Sequence, residues 1–398
     1  MALRPAARAA ALAACLSLAC WHRPTPPPLL PVAVVPFDAY GGAIYVPAVI
    51  NGDSAWLMLD TGLSRTGLDR EWARTVGIVP GPTPAPPVAA AASTAVVDTM
   101  RLGELTLVHH PVVLYPLNGL SEASGRLQVG LVGHDVLQHY TVVIDYRQRR
   151  VQLFDPARYR YNGPGTTVRF TADADLPLLR AHVKARGGRP IPARLLLDTG
   201  ASGLCLIVTT PFVEQHGLNQ VTPAIEAPIG TGLVGELHGT IVRLQELRLG
   251  GVKVPSPTTG LGGEYKGFLA RTDIDGVVGN SVFEGSLLIV DYAGHRAIVE
   301  PRPGDNSPCD FDMSGLRLAA RGPGLRHIVV DYVIPRSPSA EAGIAVGDEL
   351  LLIDGRGVAE GDLSDARKAL RSAGAVRQLV LRRDADTIRV ALKLRRLL

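Results

Sequence analysis

Two carboxylates stand in nearly identical surroundings far apart in this 398-residue chain. Asp60 and Asp198 each follow an apolar run, each precedes Thr-Gly, and each has a Ser four residues further on (Ser64, Ser202). Splitting a peptide bond without a metal or a nucleophilic side chain requires that water is activated while the carbonyl oxygen is protonated. Two carboxyl groups about 3 Å apart can do both, because they cannot both hold a negative charge and therefore share one proton. The pair is thus a candidate acid–base dyad.

The neighbours of each carboxylate have residue types that suit this chemistry. Gly after Thr lets two backbones approach closely. The Thr hydroxyl can hydrogen-bond across a junction between two loops, and the Ser hydroxyl is expected to hold the outer carboxylate oxygen. One such triplet alone is more often an ordinary turn, so the twin context decides the interpretation. The supporting residues predicted in this way are Thr61, Gly62, Ser64, Thr199, Gly200 and Ser202.

An internal repeat relates the two carboxylates. The two Asp-Thr-Gly triplets lie 138 residues apart, whereas two later pairs lie 146 residues apart: Gly133 with Gly279, and Asp145 with Asp291. One duplication with a few inserted residues explains all three offsets. A repeat of this length predicts a pair of similar domains rather than a solenoid.

In each half a hairpin is expected to deliver the Asp to a loop. The predicted strands are 43–50 and 55–59 in the first half, and 178–185 and 191–197 in the second. The Gly-rich segment 228–235 of the second half predicts a further hairpin tip.

Residues from about Val34 to Pro301 resemble two retropepsin-like lobes of an aspartic protease on one chain, the arrangement of pepsin-like enzymes and their bacterial exported relatives. The resemblance implies a mainly β fold, with a closed barrel of strands in each lobe and a cleft between the lobes. It also implies that Asp60 and Asp198 are catalytic. Two apolar-apolar-Gly segments, 131–133 and 277–279, resemble the segment that packs beside the catalytic loop in that family.

Some features depart from the family pattern. Leu63 stands where the family usually has a small residue, whereas Ala201 fits. No Tyr marks a pepsin-type flap. The segment Ile229 to Gly235 resembles a retroviral-type flap, but its counterpart near Ala91 to Ala95 is weak.

The C-terminal part, from about residue 310 to 398, is similar to PDZ domains of the bacterial periplasmic type through segments 335–343 and 347–351. A carboxylate-binding loop is implied, with a peptide adding as a strand beside 316–320 and a helix at 363–373 forming the opposite wall. The alternative is a closed groove in a domain that only buttresses the lobes. The predicted peptide-binding residues are Gly315, Leu316, Arg317 and Leu318.

The N-terminus has the pattern of an export signal. Basic residues precede an apolar run, 9–19, which is too short for a permanent membrane span and ends at Cys20. Lipidation at Cys20 is preferred; Cys15 in a second lipobox-like segment and plain signal cleavage stay open. The Pro-rich stretch 24–31 would then be a stiff tether. We therefore expect an exported, periplasmic or cell-envelope protein that meets the membrane only through a lipid anchor.

The net charge and the His and Cys residues limit the kinds of partner, cofactor and cross-link that can be expected. The net charge of +4 is too weak and dispersed to indicate nucleic acid, and no cofactor is implied. The pair His109-His110 lacks a third ligand at metal spacing, so no metal site is predicted. Cys205 and Cys309 are far apart in sequence, and two buried free thiols are expected rather than a disulfide.

These observations predict five segments and one leading function. The function is an aspartic endopeptidase whose dyad cleaves peptide or protein substrates while the PDZ domain binds protein C-termini. The alternative is a non-catalytic peptide-binding envelope protein that retains the protease fold. The predicted segments are a signal peptide (1–20), a Pro-rich linker (21–33), lobe 1 (34–160), lobe 2 (161–304) and a PDZ domain (309–398).

Overall fold

The computed structural model describes residues 29–81, 93–173, 176–233, 235–301, 309, 311–358 and 362–398. Residues from Pro31 to Leu398 form one unit by their contacts. The predicted signal peptide with Cys15 and Cys20, and most of the predicted linker, lie outside the described residues. Within the described ranges, every helix is too short or too polar to cross a membrane.

Lobe 1 is built mainly from strands, and the hairpin that precedes Asp60 is the one predicted. Its strands are β1 (Ala33–Pro36), β2 (Asp38–Tyr40), β3 (Ala43–Ile50), β4 (Asp53–Leu59), β5 (Gly67–Asp69), β6 (Ser93–Leu102), β7 (Leu105–Tyr115), β8 (Gly130–Val132), β9 (Thr141–Asp145) and β10 (Arg150–Phe154). Its helices are α1 (Arg70–Thr75), α2 (Asn118–Ser124) and α3 (His134–Leu137).

Lobe 2 repeats this order with a longer hairpin. Its strands are β11 (Thr166–Asp173), β12 (Leu176–Lys184), β13 (Ile191–Asp198), β14 (Leu206–Val208), β15 (Ala224–Gly232), β16 (Gly235–Arg243), β17 (Glu246–Leu249), β18 (Val252–Pro255), β19 (Thr258–Gly262), β20 (Gly276–Gly279), β21 (Leu287–Asp291) and β22 (Arg296–Glu300). The helix α4 spans Thr210–Gln215.

The C-terminal domain has a smaller sheet in the order β23-β24-β25-β27-β28 and its own apolar core. Its strands are β23 (Leu316–Arg321), β24 (His327–Val333), β25 (Glu349–Ile353), β26 (Arg356–Gly357), β27 (Val376–Arg383) and β28 (Asp386–Lys393). Its helices are α5 (Pro338–Glu341) and α6 (Leu363–Ala369), so the predicted helix 363–373 ends four residues early.

The sheet of lobe 1 closes on itself. Its strand order is β2-β3-β4-β8-β5-β7-β6, and β6 also pairs with β3, which makes a barrel. The same parallel pairing occurs in both lobes. The strand before the Asp runs parallel to the strand of the apolar-apolar-Gly segment, as β4 does to β8 and β13 does to β20. The apolar residues that precede each Asp fill the main core: Leu57 and Leu197 are completely buried. Each Asp is therefore anchored by a rigid strand.

A sheet joins the two lobes in the order β1-β10-β9-β21-β22-β11. At its centre β9 and β21 are antiparallel, and Val143 lies directly opposite Ile289. These two residues are related by the 146-residue offset of the repeat, so each residue faces its own duplicate. Equivalent residues meet in this way only about a twofold axis, which confirms the interpretation of the repeat as a domain pair.

The expectation of two free thiols is wrong. Cys205, just before β14, forms a disulfide with Cys309 across 104 residues, with their Cα atoms 5.6 Å apart. The chain returns to lobe 2 after β22, and Arg243 of β16 donates a hydrogen bond to the carbonyl oxygen of Cys309 at 3.2 Å. Sequence separation carries no information on such a return, and this is why the pairing was missed.

Candidate active site

The two Asp loops face each other at the lobe junction. A Cβ atom placed on Gly62 would lie 2.6 Å from Cγ of Asp198, and one on Gly200 would lie 2.6 Å from Cγ of Asp60. Each Gly therefore leaves the space that the opposite carboxylate occupies. Gly at these positions is explained by close approach, as predicted, and the carboxyl groups of Asp60 and Asp198 come together.

Hydrogen bonds and burial set the charge of the pair. The amide of Gly62 donates to Oδ1 of Asp60 at 2.9 Å, whereas Oδ1 of Asp198 accepts from Gly200 at 2.8 Å and from Ala201 at 3.0 Å. Burial raises the pKa of both carboxyl groups, and the negative charge of Asp198 raises the pKa of Asp60 further. A hydrogen bond between the two carboxyl groups raises the pKa of Asp60 and lowers that of Asp198. This arrangement favours one proton shared between the two carboxyl groups.

Thr61 and Thr199 lock the two loops to each other. The hydroxyl of Thr61 donates to the carbonyl oxygen of Leu197 at 2.8 Å, and the hydroxyl of Thr199 donates to that of Leu59 at 2.7 Å. Each hydroxyl also accepts the backbone N–H of the other Thr, at 3.1 and 3.0 Å. Both side chains are fully buried. The four bonds form a reciprocal set across the twofold axis, in the role predicted for these residues.

The two apolar-apolar-Gly segments lie beside the Asp loops. The amide of Asp60 donates to the carbonyl oxygen of Val132 at 3.0 Å, and Asp198 is paired with Gly279 in the parallel register. A Cβ on Gly133 would be 2.9 Å from the carbonyl oxygen of Leu63, so this Gly is also required by close packing. The predicted packing role of both segments is confirmed.

The two Ser residues lie elsewhere than predicted. Ser64 and Ser202 are exposed, and among the hydrogen bonds of the described residues neither hydroxyl reaches a carboxylate. The backbone amides of the Asp loops hold the carboxylate oxygens instead. Leu63 turns away into an apolar cluster of lobe 1 that includes Tyr45 and Leu117, which accommodates its size.

The hairpin β15–β16 crosses the cleft. Its tip residue Leu233 packs against the lobe 1 cluster that contains Leu63 and Tyr115. Leu63 follows Asp60 by three residues, so this cluster lies beside the dyad. We call residues 224–243 the flap. The weak counterpart expected near Ala91 to Ala95 lies partly outside the described residues.

A polar brace under the lobe 1 loop was not foreseen. Oδ1 of Asp135 accepts from the amide and the hydroxyl of Thr66, at 2.8 and 2.7 Å, and Oδ2 lies 3.3 Å from Nε2 of His110. The hydroxyl of Thr66 accepts in turn from the amide of Gly133 at 3.1 Å. The only sequence signal was an Asp two residues after the apolar-apolar-Gly segment, a position that Ser281 holds in lobe 2.

The predicted carboxylate-binding loop of the C-terminal domain already holds a carboxylate. The amides of Ser314 and Gly315 donate to Oδ1 of Asp312 at 2.9 and 2.6 Å, and the amide of Leu316 donates to the hydroxyl of Ser314. Burial raises the pKa of Asp312 to about 6. The loop therefore forms a nest, but its own chain fills it.

The groove beside this loop is closed by the protease lobes. Nη2 of Arg367 on α6 donates to the carbonyl oxygen of Leu318 at 2.7 Å and to that of Ala123 on α2 at 2.6 Å. The side chain of Arg317 reaches the flap rather than a free groove. In this structure the domain is docked on both lobes.

No metal site is visible in the part of the chain that the structure describes, because no three His, Cys, Asp or Glu side chains there lie close enough to share an ion.

Comparison with known proteins gives matches for parts of the chain. No curated protein matches the chain. Among solved structures, a retropepsin-like aspartic protease from Rickettsia conorii matches 30% of this chain and 87% of its own, with 18% sequence identity and a TM-score of 0.24. Residues 46–136 and 181–282 match the family described as aspartyl protease, and residues 329–383 match the PDZ domain. Each lobe of this chain thus contains a segment that matches the aspartyl protease family, and the C-terminal unit is a PDZ domain.

Proposed function

We propose that this protein is an aspartic endopeptidase of the cell envelope. The observation that carries the proposal is the reciprocal placement of Gly62 and Gly200, each of which makes room for the carboxylate of the opposite lobe. An ordinary turn would not require a Gly that faces the carboxylate of another lobe. The reciprocal placement supports two buried acids that share a proton.

The proposed mechanism assigns one role to each acid. We assign Asp198, whose Oδ1 accepts two backbone N–H groups, as the ionised acid, which takes a proton from a water molecule held between the carboxyl groups. Asp60 gives its proton to the carbonyl oxygen of the scissile bond, and the water oxygen bonds to the carbonyl carbon. Asp198 then protonates the leaving amide nitrogen, the C–N bond breaks, and the hydroxyl proton of the intermediate returns to Asp60. The dyad ends with the one proton with which it began.

The pH profile follows from the same state. Cleavage needs one ionised and one protonated carboxyl group, so activity falls when both are protonated and again when both are ionised. Because burial raises both pKa values, the loss on the alkaline side lies above the ordinary pKa of Asp, which is about 4.

The cellular location is part of the proposal. The disulfide Cys205–Cys309 supports an oxidising compartment, because such bonds persist mainly outside the cytosol. Lipid attachment at Cys20 would then tether the lobes to a membrane. Radiolabelled fatty acid incorporated into the wild type and lost in Cys20→Ser would support this attachment; label retained in Cys20→Ser and lost in Cys15→Ser would reassign it.

The decisive test uses purified protein and a diverse peptide library from acid to neutral pH. We expect Asp60→Asn and Asp198→Asn each to lower kcat/KM by about 10³-fold or more, and the double variant to be no worse than either, since the acids act as a unit. Ser64→Ala, an exposed neighbour, is the matched control and should cleave normally. If the wild type cleaves nothing in a dyad-dependent way but retains peptides, the non-catalytic binder is the better description.

Binding of protein C-termini by the PDZ domain requires a change from the structure described. A terminal carboxylate would have to replace Asp312 at the amides of Ser314 and Gly315. Titration with peptides that end in a free carboxylate or in an amide tests this part of the proposal. Selective binding of the free acids would support it, and equal binding or none would contradict it.

A further inference from the structure

The PDZ domain contacts the flap of lobe 2 at one cross-strand pair of residues. Arg317 of β23 forms an ion pair with Glu236, and its Nη2 donates to the hydroxyl of Thr231 at 3.2 Å. Thr231 and Glu236 lie directly opposite each other in the register of β15 and β16, next to the tip of the hairpin. One guanidinium group therefore holds both strands of the flap.

The guanidinium of Arg317 is itself fixed in place. Its Nε lies 3.4 Å from Oδ2 of Asp331 on β24, and its side chain is only 23% exposed. Arg suits this position because its planar, forked donors can face several acceptors at once, which a Lys ammonium does less well.

The rest of the flap is held at its base and at its tip. The hydroxyl of Tyr332 on β24 donates to the carbonyl oxygen of Glu226 at 3.1 Å, near the start of β15. At the other end Leu233 rests on the apolar cluster of lobe 1. The flap thus spans from the PDZ domain across the cleft to lobe 1.

A second group of contacts joins the PDZ domain to lobe 1. Arg321, four residues after Arg317 on the same strand, forms an ion pair with Glu122 of α2, and Arg367 donates to the carbonyl oxygen of Ala123. The PDZ domain therefore contacts both sides of the cleft, the flap on one side and α2 on the other.

We propose that Arg317 is a positioning residue of the protease, which holds the flap closed above Asp60 and Asp198 from the PDZ domain. This inference rests on the proposed function and adds a part that lies outside both protease lobes. A flap that closes over the cleft excludes water and retains substrate. Loss of the grip should weaken substrate retention and leave the acid chemistry intact.

The test compares Arg317→Gln with Arg321→Gln in the otherwise complete protein. Both arginines pair with Asp331, but only Arg317 touches the flap. We expect Arg317→Gln to raise KM by roughly tenfold, with a smaller change in kcat and an unchanged pH profile, because flap closure rather than proton transfer is affected. Arg321→Gln removes a contact with lobe 1 but leaves the contact with the flap in place, so it should change KM less than Arg317→Gln does.

A readout that needs no activity separates this inference from the proposed function. Amide hydrogen exchange in residues 229–237 should be at least about fivefold faster in Arg317→Gln than in the wild type, and unchanged in Arg321→Gln. The charge reversal Arg317→Glu should speed exchange at least as much, because it places a carboxylate opposite Glu236 and beside Asp331. If exchange in the flap is the same in both Gln variants, the inference is overturned, whether or not the protein cleaves peptides.

Discussion

The two lobes present the same Asp-Thr-Gly loop but brace it by different chemistry. In lobe 1 the loop after Asp60 is held by Thr66, which is hydrogen-bonded to Asp135, with His110 beside the same carboxylate. In lobe 2 the corresponding loop runs into Cys205 and is held by a covalent bond to Cys309.

This difference indicates which features the proposed acid–base chemistry requires and which features can vary between the lobes. The Thr bonds and the paired Gly residues are the same in both lobes because they define the distance between the two acids. The braces lie one layer further out and need only be rigid. One brace is sensitive to reductant and the other to acid, so each can be broken separately.

Breaking the disulfide should have the largest effect on stability. A cross-link that closes a loop of 104 residues is expected to stabilise the fold by about 4–5 kcal/mol, mainly through the unfolded chain. Cys309→Ser should lower the free energy of unfolding by about this amount in denaturant titrations.

Reductant should destabilise the wild type in the same way and leave a protein carrying both Cys205→Ser and Cys309→Ser unchanged. Equal stability of wild type and Cys309→Ser, without reductant, would show that the bond contributes nothing.

The Thr pair tests whether the symmetric part is truly symmetric. Valine in place of Thr61 or Thr199 keeps the shape but removes a buried donor, and it strands a carbonyl oxygen of the opposite lobe. We expect each single variant to lose about 2–3 kcal/mol of unfolding free energy and the double variant less than the sum of both. Unequal losses in the two single variants would mean that the two lobes do not share the junction equally.

The smallest effect is expected from Asp135→Asn, and it should depend on pH. Burial opposes the charge of Asp135, but hydrogen bonds from His110 and Thr66 outweigh it and lower the pKa of this carboxyl group. A carboxyl group with a lowered pKa stabilises the fold above its unfolded pKa of about 4, and this stability is lost as the pH falls through the folded pKa.

We therefore expect Asp135→Asn to cost about 1–2 kcal/mol at neutral pH, and the difference from the wild type to shrink below about pH 4. Urea titrations at several pH values measure it, with Asp53→Asn, at the exposed start of β4, as the control. A difference that does not change with pH would assign the loss to shape rather than to charge.

The meeting of the two Asp loops could be predicted because the Asp-Thr-Gly motif occurs twice in the sequence. Asp60 and Asp198, with the Thr and Gly after each, stand at a fixed offset, and duplication turns a weak motif into a specific one. The pairing of β9 with β21 follows from the same offset, since duplicates meet at a twofold axis.

Most of the features that were missed have no duplicate. The bond between Cys205 and Cys309 depends on where the chain returns after lobe 2. Ser64 and Ser202 do repeat, but backbone amides closer to the carboxylates take the role that was predicted for them. The side chain of Arg317 was expected beside a peptide, but it lies on the flap. This position could not be predicted, because the docking of a whole domain leaves no local pattern in the sequence.

The meeting of Val143 with Ile289 has a consequence for ancestry. A surface that pairs with its own duplicate about a twofold axis is self-complementary, so a chain of half this length could assemble with an identical copy and contribute one acid from each subunit. Once two copies are joined in one chain, the sequence of each copy can change independently of the other. The cross-link on one side, the buried carboxylate on the other, and an appended domain that grips a single hairpin are differences that two identical subunits could not have evolved independently.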